Sequence, residues 1–262
     1  MKKTKDKKGH KKKLPFVAYN PKTHVLICKK KVNNRWAAIF NDPRKHDELV
    51  SYEDPKNKIV KEFQNIASFK DKVILDAGCG TGRHTFLYSK AARYVYALDP
   101  SRQHISFLKD KINKNKVKNI GPLLARIEKI PLKSNSVDLV VGTFSITSTS
   151  IDRKKAIKEI LRVLKPKGRM IFADAYYKGE FMDIWRKCSD PDIAGGCYNC
   201  LLSTKDMYDF RIRVIETSWD FPTVKKAADL LGYVLGGKTK GYLLKSRKRR
   251  IRMKVFIVYG TK

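Results

Sequence analysis

The run Asp76-Ala-Gly78-Cys79-Gly80-Thr-Gly82 is where residue type and spacing point most directly to chemistry. Glycine at every second position permits a tight turn and lets a ligand approach the backbone closely. An apolar run, Lys72 to Ala77, precedes the glycines, and a segment with helical spacing, Gly82 to Ala92, follows them. The start of such a helix offers N–H groups that have no partner within the helix. Asp99 stands 19 residues beyond Gly80, at the end of the next apolar run. A carboxylate there suits hydrogen bonds from ribose hydroxyls. The spacing is GxGxG and not GxGxxG, and no Lys-Ser/Thr pair closes the loop, which excludes a P-loop.

The elements that must hold these residues alternate in type. Strands are expected at Lys72–Ala77, Tyr94–Leu98, Leu123–Arg126, Val137–Phe144 and Arg169–Ala175. Helices are expected at Gly82–Ala92 and Ser101–Asn113, with a further apolar helical face at Ile157, Ile160, Leu161 and Leu164 that Pro166 and Gly168 bring to an end. Ile212–Trp219 and Met253–Tyr259 read as two more strands, with a helix at Val224–Leu235 between them. Upstream, Val25–Cys28 reads as a short strand and Ile59–Phe69 as helical. Alternating strands and helices specify an α/β fold, a doubly wound and mostly parallel sheet of seven strands.

Several of these segments resemble class I S-adenosylmethionine-dependent methyltransferases. Val73-Ile-Leu-Asp76-Ala-Gly78-Cys-Gly80-Thr-Gly82-Arg resembles their first motif, and Ala97-Leu-Asp99-Pro-Ser101 their second. Ile130-Pro131 and Ser136-Val-Asp138-Leu-Val-Val141 resemble their third and fourth strand region. Ile160-Leu-Arg162-Val-Leu-Lys165-Pro166-Lys-Gly168-Arg resembles the segment before their fifth strand. The resemblance covers residues 70–177 and implies a Rossmann-like sheet whose last strand runs antiparallel beside Ile212–Trp219. It also implies S-adenosylmethionine as cofactor. The loop Gly78, Cys79, Gly80 and Gly82 would cradle the methionine end, Asp76 would help place the ammonium group, and Asp99 would hold the ribose. Where the family has an acid for the adenine amine, this chain has Arg126, then Ile127 and Glu128. Arginine accepts no hydrogen bond. Either Glu128 substitutes, the backbone at Ile127 alone reads the ring, or affinity is reduced.

Methyl transfer from a sulfonium needs alignment of nucleophile and methyl, and removal of a proton where the nucleophile carries one. The expected exit of the fourth strand, Gly142-Thr143-Phe144-Ser145-Ile-Thr147, offers hydroxyls that could orient a polar acceptor, Thr143 also bordering the cofactor. It lacks the Asn/Asp-Pro-Pro-aromatic motif of base-amino and glutamine-amide methylation. Of five histidines, His84 follows the glycine loop, His104 falls on a helix, and His10, His24 and His46 precede the domain; none is assigned as the base, and the catalytic residue is unknown. Trp36 and Tyr52, within a capping segment 14–70, read equally as lining for the site or as core. Cys188, Cys197 and Cys200 have a spacing that plain thiols, a zinc site completed by Cys28 or a histidine, or a thiophilic substrate would each explain.

The chain of 262 residues is long enough for one large domain that buries a core without staples. The division expected is a basic tail 1–13, the capping segment, and a domain 71–262 with a variable region 178–210 and a helical insertion 222–237. Five cysteines fit an intracellular chain better than a disulfide framework. No apolar run reaches membrane-spanning length, and the short stretch Leu14–Tyr19 is brief for a secretory core, so a cytoplasmic protein with no membrane partner is expected. The net charge of +33 is partly clustered, with +7 in residues 1–13 and +9 in residues 238–254. Clustered positive charge is an electrostatic footprint of nucleic-acid binding as well as an aid to solubility. The expected acceptor is a small molecule, by a narrow margin. The alternatives are RNA methylation and a non-catalytic nucleic-acid-binding protein on the same fold.

Overall fold

The computed structural model describes residues 17–20, 25–28, 41–146, 151–188 and 210–262, the first two stretches as backbone. The tail 1–13, His10, His24, Trp36, Thr147, Cys197, Cys200 and the Cys28 side chain lie outside the described residues. Strands β1 (Val17–Asn20) and β2 (Val25–Cys28) pair antiparallel in a two-stranded sheet of their own. Helices α1 (Pro43–Ser51) and α2 (Lys58–Ile66) follow.

The main sheet begins with β3 (Val73–Ala77), α3 (Arg83–Ser89), β4 (Tyr94–Asp99), α4 (Arg102–Lys114) and β5 (Ile120–Leu124). Then come β6 (Val137–Thr143), α5 (Arg153–Val163), β7 (Leu164–Ala175) and α6 (Glu180–Cys188). The described chain ends with β8 (Arg211–Asp220), α7 (Val224–Leu235), α8 (Gly237–Ser246) and β9 (Arg250–Thr261). The order in the seven-stranded sheet is β5-β4-β3-β6-β7-β9-β8. The β3, β4, β5, β6 and β7 pairings are parallel, and β9 lies antiparallel to both β7 and β8. The architecture is therefore the doubly wound, mostly parallel sheet that the strand–helix pattern specified, with the antiparallel last strand that the resemblance implied.

Strand alternation divides the core between the two faces. Ile74, Leu139 and Val141 join a large cluster with Phe63 of α2, Tyr88 of α3, Leu108 of α4 and Leu231 of α7. Leu75, Ala77 and Val140 face the other way, onto Ala156, Ile160 and Val163 of α5. The motif residues between strands act as clamps. Asp138 accepts from the Val73 N–H at 2.8 Å and pairs with Lys165 at 2.8 Å, tying β6 to both neighbours. Arg162 donates to the carbonyls of Ile130 and Leu132, both at 2.8 Å, and so fixes the loop after β5.

Several boundaries differ from the sequence reading. β7, expected at 169–175, begins at Leu164, so α5 ends at Val163 and Pro166 and Gly168 lie within the strand. The third parallel strand, expected at 123–126, is β5 at 120–124, so Arg126 lies beyond it in a turn closed by Lys129 N–H to Arg126 C=O at 3.0 Å. Pairing with β4, whose Val95 opposes Ile120, sets that register, and Pro122 within the strand obscured it. The insertion expected at 222–237 continues as a second helix, α8, packed against α7. β9 starts at Arg250 and not Met253, because cross-strand pairing with Asp220 recruits the basic residues before its apolar run.

The N-terminal segment is joined to the sheet edge at β8. Glu53 bridges Trp219, and the Asp54 N–H donates to the Ser218 carbonyl at 2.9 Å. Asp54 is fully buried, and its carboxylate accepts from the N–H groups of Lys58 (3.0 Å) and Ile59 (2.8 Å) and from the Thr217 hydroxyl (2.6 Å). One side chain thus caps α2 and ties it to β8. Replacing Asp54 by Ala removes the cap (~1 kcal/mol) and strands a buried hydroxyl (~1–3 kcal/mol). Urea denaturation is expected to show a loss of ~2–4 kcal/mol from those two costs together. A loss under about 0.5 kcal/mol, the range of an ordinary surface change, would refute this account of the joint.

Candidate active site

The glycine loop joins the C-terminal end of β3 to the N-terminus of α3. Gly78, Gly80 and Gly82 adopt φ of +84°, +54° and +89°, the left-handed region in which a side chain is strained. Space is short as well: a Cβ at Gly78 would lie 2.3 Å from the Ser145 Cβ, and one at Gly82 2.4 Å from Leu108 Cδ1. The Leu98 carbonyl accepts from the N–H groups of Gly78 (2.7 Å) and Cys79 (3.0 Å). Asp99 completes the closure. Its Oδ2 accepts from the Gly80 N–H at 2.9 Å and its Oδ1 from the Ser101 N–H at 2.9 Å, with His104 Nδ1 3.6 Å away.

Asp76, at the fourth position of β3, is 1% exposed, and the Thr85 hydroxyl donates to its Oδ2 at 2.6 Å. Among the described residues no cation pairs with it. Burial pushes its carboxyl up to about 7; the Thr85 hydrogen bond opposes this and Asp99 adds repulsion. Cys79 is buried in the loop, and burial raises its thiol well above the usual range, so it stays a neutral packing group. Cys188 is a buried free thiol at the end of α6, and the described residues contain no cluster of metal-binding side chains.

Beyond β5, Ile127 is buried in the second core cluster. Glu128 accepts from Arg126 Nη2 at 2.7 Å and from the Asp152 N–H at 3.1 Å, both through Oε1. Its Oε2 is buried with no hydrogen-bond partner among the described residues. Arg126 thus neutralises one oxygen of Glu128 and leaves the other as an open acceptor. The Ser145 Oγ, above Gly78, is likewise buried and unpartnered.

At the exit of β6, the Thr143 hydroxyl lies 2.8 Å from His84 Nδ1, and His84 Nε2 lies 2.8 Å from Arg83 Nη1. Arginine only donates, so Nε2 is the acceptor and the proton sits on Nδ1, pointing at Thr143. Burial, then the Arg83 charge, holds His84 far below the usual histidine range, so it stays neutral. Arg83 also pairs with Glu53 at 3.3 Å and donates to the Asp54 carbonyl at 3.2 Å. Burial raises Glu53 to about 7 despite Arg83, with Asp54 and Asp174 adding repulsion.

His46 of α1 also belongs to this site, although the sequence placed it before the domain. Its ring lies against Gly80, where a Cβ would meet Cε1 at 3.1 Å, and Nδ1 is 3.2 Å from the Thr81 hydroxyl. Burial, then His104 at 4.8 Å ring to ring, lowers His46 to about 4. Neither His46 nor the Glu53–Arg83 link had a local signal, because each bridges residues about thirty apart in the chain. Tyr52 packs on Phe221 at 5.1 Å, as core.

A seven-stranded sheet in this order, with a glycine loop after its first parallel strand and an acid after its second, is the fold of the Rossmann-like class I methyltransferases. Residues 75–172 match the methyltransferase-domain family. The chain is 28% identical to a demethylmenaquinone methyltransferase of Lactococcus lactis over 59% of its own length and 62% of that protein's, so it spans less than two thirds of that relative. It is 25% identical to a thiol S-methyltransferase of Rattus norvegicus over 66% of this chain and 73% of that one. A crystal structure of a SAM-dependent methyltransferase from Aquifex aeolicus shares the fold with a TM-score of 0.55, 24% identity, and coverage of 83% of this chain and 98% of that one. No helix among the described residues is long and apolar enough to cross a membrane.

The raised carboxyl of Asp76 has a measurable consequence. An unfolded Asp ionises near ~3.9, whereas the folded group keeps its proton to about 7. The folded state binds the extra proton in that window, so stability falls as pH rises through it, by up to ~1.4 kcal/mol per unit of separation. Asp76→Asn removes this term. Its melting midpoint relative to the native protein is expected to rise between pH 5 and pH 8. Parallel curves for the two proteins would rule out a buried protonated Asp76.

Proposed function

We propose that the chain transfers a methyl group from S-adenosylmethionine to a small-molecule acceptor. The observation that carries the cofactor is the glycine loop clasped by Asp99 at the C-terminal ends of β3 and β4. The residues present fit this cofactor. Asp76 is a buried carboxylate short of a counter-ion, which an ammonium group supplies. The open Glu128 Oε2 is an acceptor suited to an exocyclic amine, in place of the acid that Arg126 displaces. Asp99 and the loop would hold the ribose and the methionine end, with Ile127 against the ring.

The bound cofactor supplies an electrophilic methyl on a sulfonium. The protein supplies alignment. Thr143 Oγ1 accepts a hydrogen bond from His84 Nδ1–H, which leaves its own O–H to donate toward an acceptor at the exit of β6. The Arg83–Glu53 link holds His84 in that tautomer and anchors the N-terminal segment against α3. The small-molecule reading draws support from the two named relatives, both named for acceptors other than nucleic acid or protein. It also agrees with the absence of the base-amino motif in the residues after β6.

Calorimetric titration with S-adenosylmethionine is expected to show binding. Asp99→Ala is expected to weaken it by ~1.5–3 kcal/mol, two charge-assisted hydrogen bonds. Glu128→Ala should weaken it by ~1–3 kcal/mol through one such bond. Unchanged affinity in both variants would refute the site. Tritiated-methyl transfer into a fractionated cell extract is expected to label small molecules. Label confined to RNA would replace the acceptor class, and binding without any transfer would favour a non-catalytic role.

A further inference from the structure

The basic residues between 238 and 254 have no part in the site above, and the fold gathers several of them. Two adjoining cavities, of about 480 and 440 Å³, share Glu180, Glu216 and Arg252 and form one groove along β8 and β9. Seven cations line it: Lys56, Lys58, Lys187, Lys248, Arg250, Arg252 and Lys254, against the three carboxylates Glu180, Asp183 and Glu216. Glu180 is engaged by Lys248 and Arg252, and Lys58 is held by the Glu216 carbonyl. Lys56 and Lys254 are exposed and make no ion pair among the described residues, and Arg250 reaches Asp220 only at 4.0 Å.

Strand geometry sets the spacing. Arg250, Arg252 and Lys254 oppose Asp220, Ser218 and Glu216 on one face of the β8–β9 pair, while Ile251, Met253 and Val255 point into the core. Alternate residues of a strand are ~6.8 Å apart, twice the ~3.4 Å rise, which is of the order of the separation between successive phosphates in an extended strand. The groove also lies at the right end of the molecule. β9 runs antiparallel to β7, so its first residues lie at the C-terminal end of the parallel strands, the end that carries the glycine loop.

We propose that this groove binds the phosphodiester backbone of a single-stranded nucleic acid. A concave, cation-lined channel suits a thread-like polyanion. A planar anionic membrane would meet only its rims and would find few apolar side chains to insert, since Pro55, Ile184 and Tyr242 are the main apolar lining. Backbone contacts of this kind hold a strand without reading its sequence. The proposal concerns a second surface and stands apart from the acceptor of the methyl group.

The test is fluorescence anisotropy of labelled oligouridylate and oligothymidylate across a salt series, with the full chain. The groove variant is Lys56→Gln/Arg250→Gln/Lys254→Gln. The control is Lys109→Gln/Lys114→Gln/Lys118→Gln, three exposed lysines around α4 and the following turn that lose the same charge. Circular dichroism and cofactor titration verify that each variant is folded, and the double variant Lys56→Gln/Lys254→Gln serves if the triple is not. The groove variant is expected to bind at least ~10-fold more weakly and to lose ~2 from the salt slope, at ~0.7 per phosphate contact. The control is expected to change affinity less than ~3-fold, as diffuse charge does. Equal losses in both variants would overturn the proposal, leaving only the net charge. Unchanged nucleic-acid binding together with lost binding to phosphatidylserine vesicles would overturn it in favour of a membrane surface.

Discussion

The hydrogen bond from the Gly80 N–H to Asp99 joins the two structural ideas on which this protein rests. A turn tight enough to pass from β3 into α3 needs glycines at positive φ, and such a turn has little side-chain packing to hold it. Asp99 supplies the missing constraint from the end of the neighbouring strand, while the Ser101 N–H holds the same carboxylate in place. Because β3 and β4 are parallel and in register from Val73–Tyr94 to Ala77–Leu98, loop and acid reach the same end of the sheet together. The Asp76 carboxylate, the start of α3 and the exit of β6 are brought to that same end of the sheet.

Around that loop the protein places several buried ionisable groups. Asp76 and Glu53 are raised and His46 and His84 lowered, in each case first by burial. Groups tuned this way are costly to a folded apo-protein and useful to one that receives a charged ligand. Glu53 has its arginine. Asp76 has only a hydroxyl, so it lacks the counter-ion that Glu53 has.

The N-terminal segment contributes more than a cover. Asp54 caps α2 and ties it to β8, Glu53 receives Arg83, and His46 lies on the glycine loop. Arg83 directly follows the loop, so the segment contacts both the loop, through His46, and the start of α3, through Glu53. At the edge where this segment meets β8, the neighbouring β9 presents alternate cationic residues.

Much of the fold was legible in the chain itself. Apolar runs alternating with 3.6-residue periodicity specified the parallel sheet, and glycine spacing with a following carboxylate located the loop, because these depend on backbone sterics and on residues near one another in sequence. Strand boundaries that depend on a partner were not legible: Pro122 masked β5, and Arg250 joined β9 only because Asp220 lies opposite. The roles of His46, Glu53 and Ser145 were decided by tertiary structure alone, since each acts on a residue at least thirty positions away in the chain. So was the turn that aims Glu128 inward past Arg126. Sequence determines which groups can turn, pair and periodically bury themselves. Only the closed fold determines which carboxylate is left without a cation, because desolvation belongs to the surroundings of a residue and not to its identity.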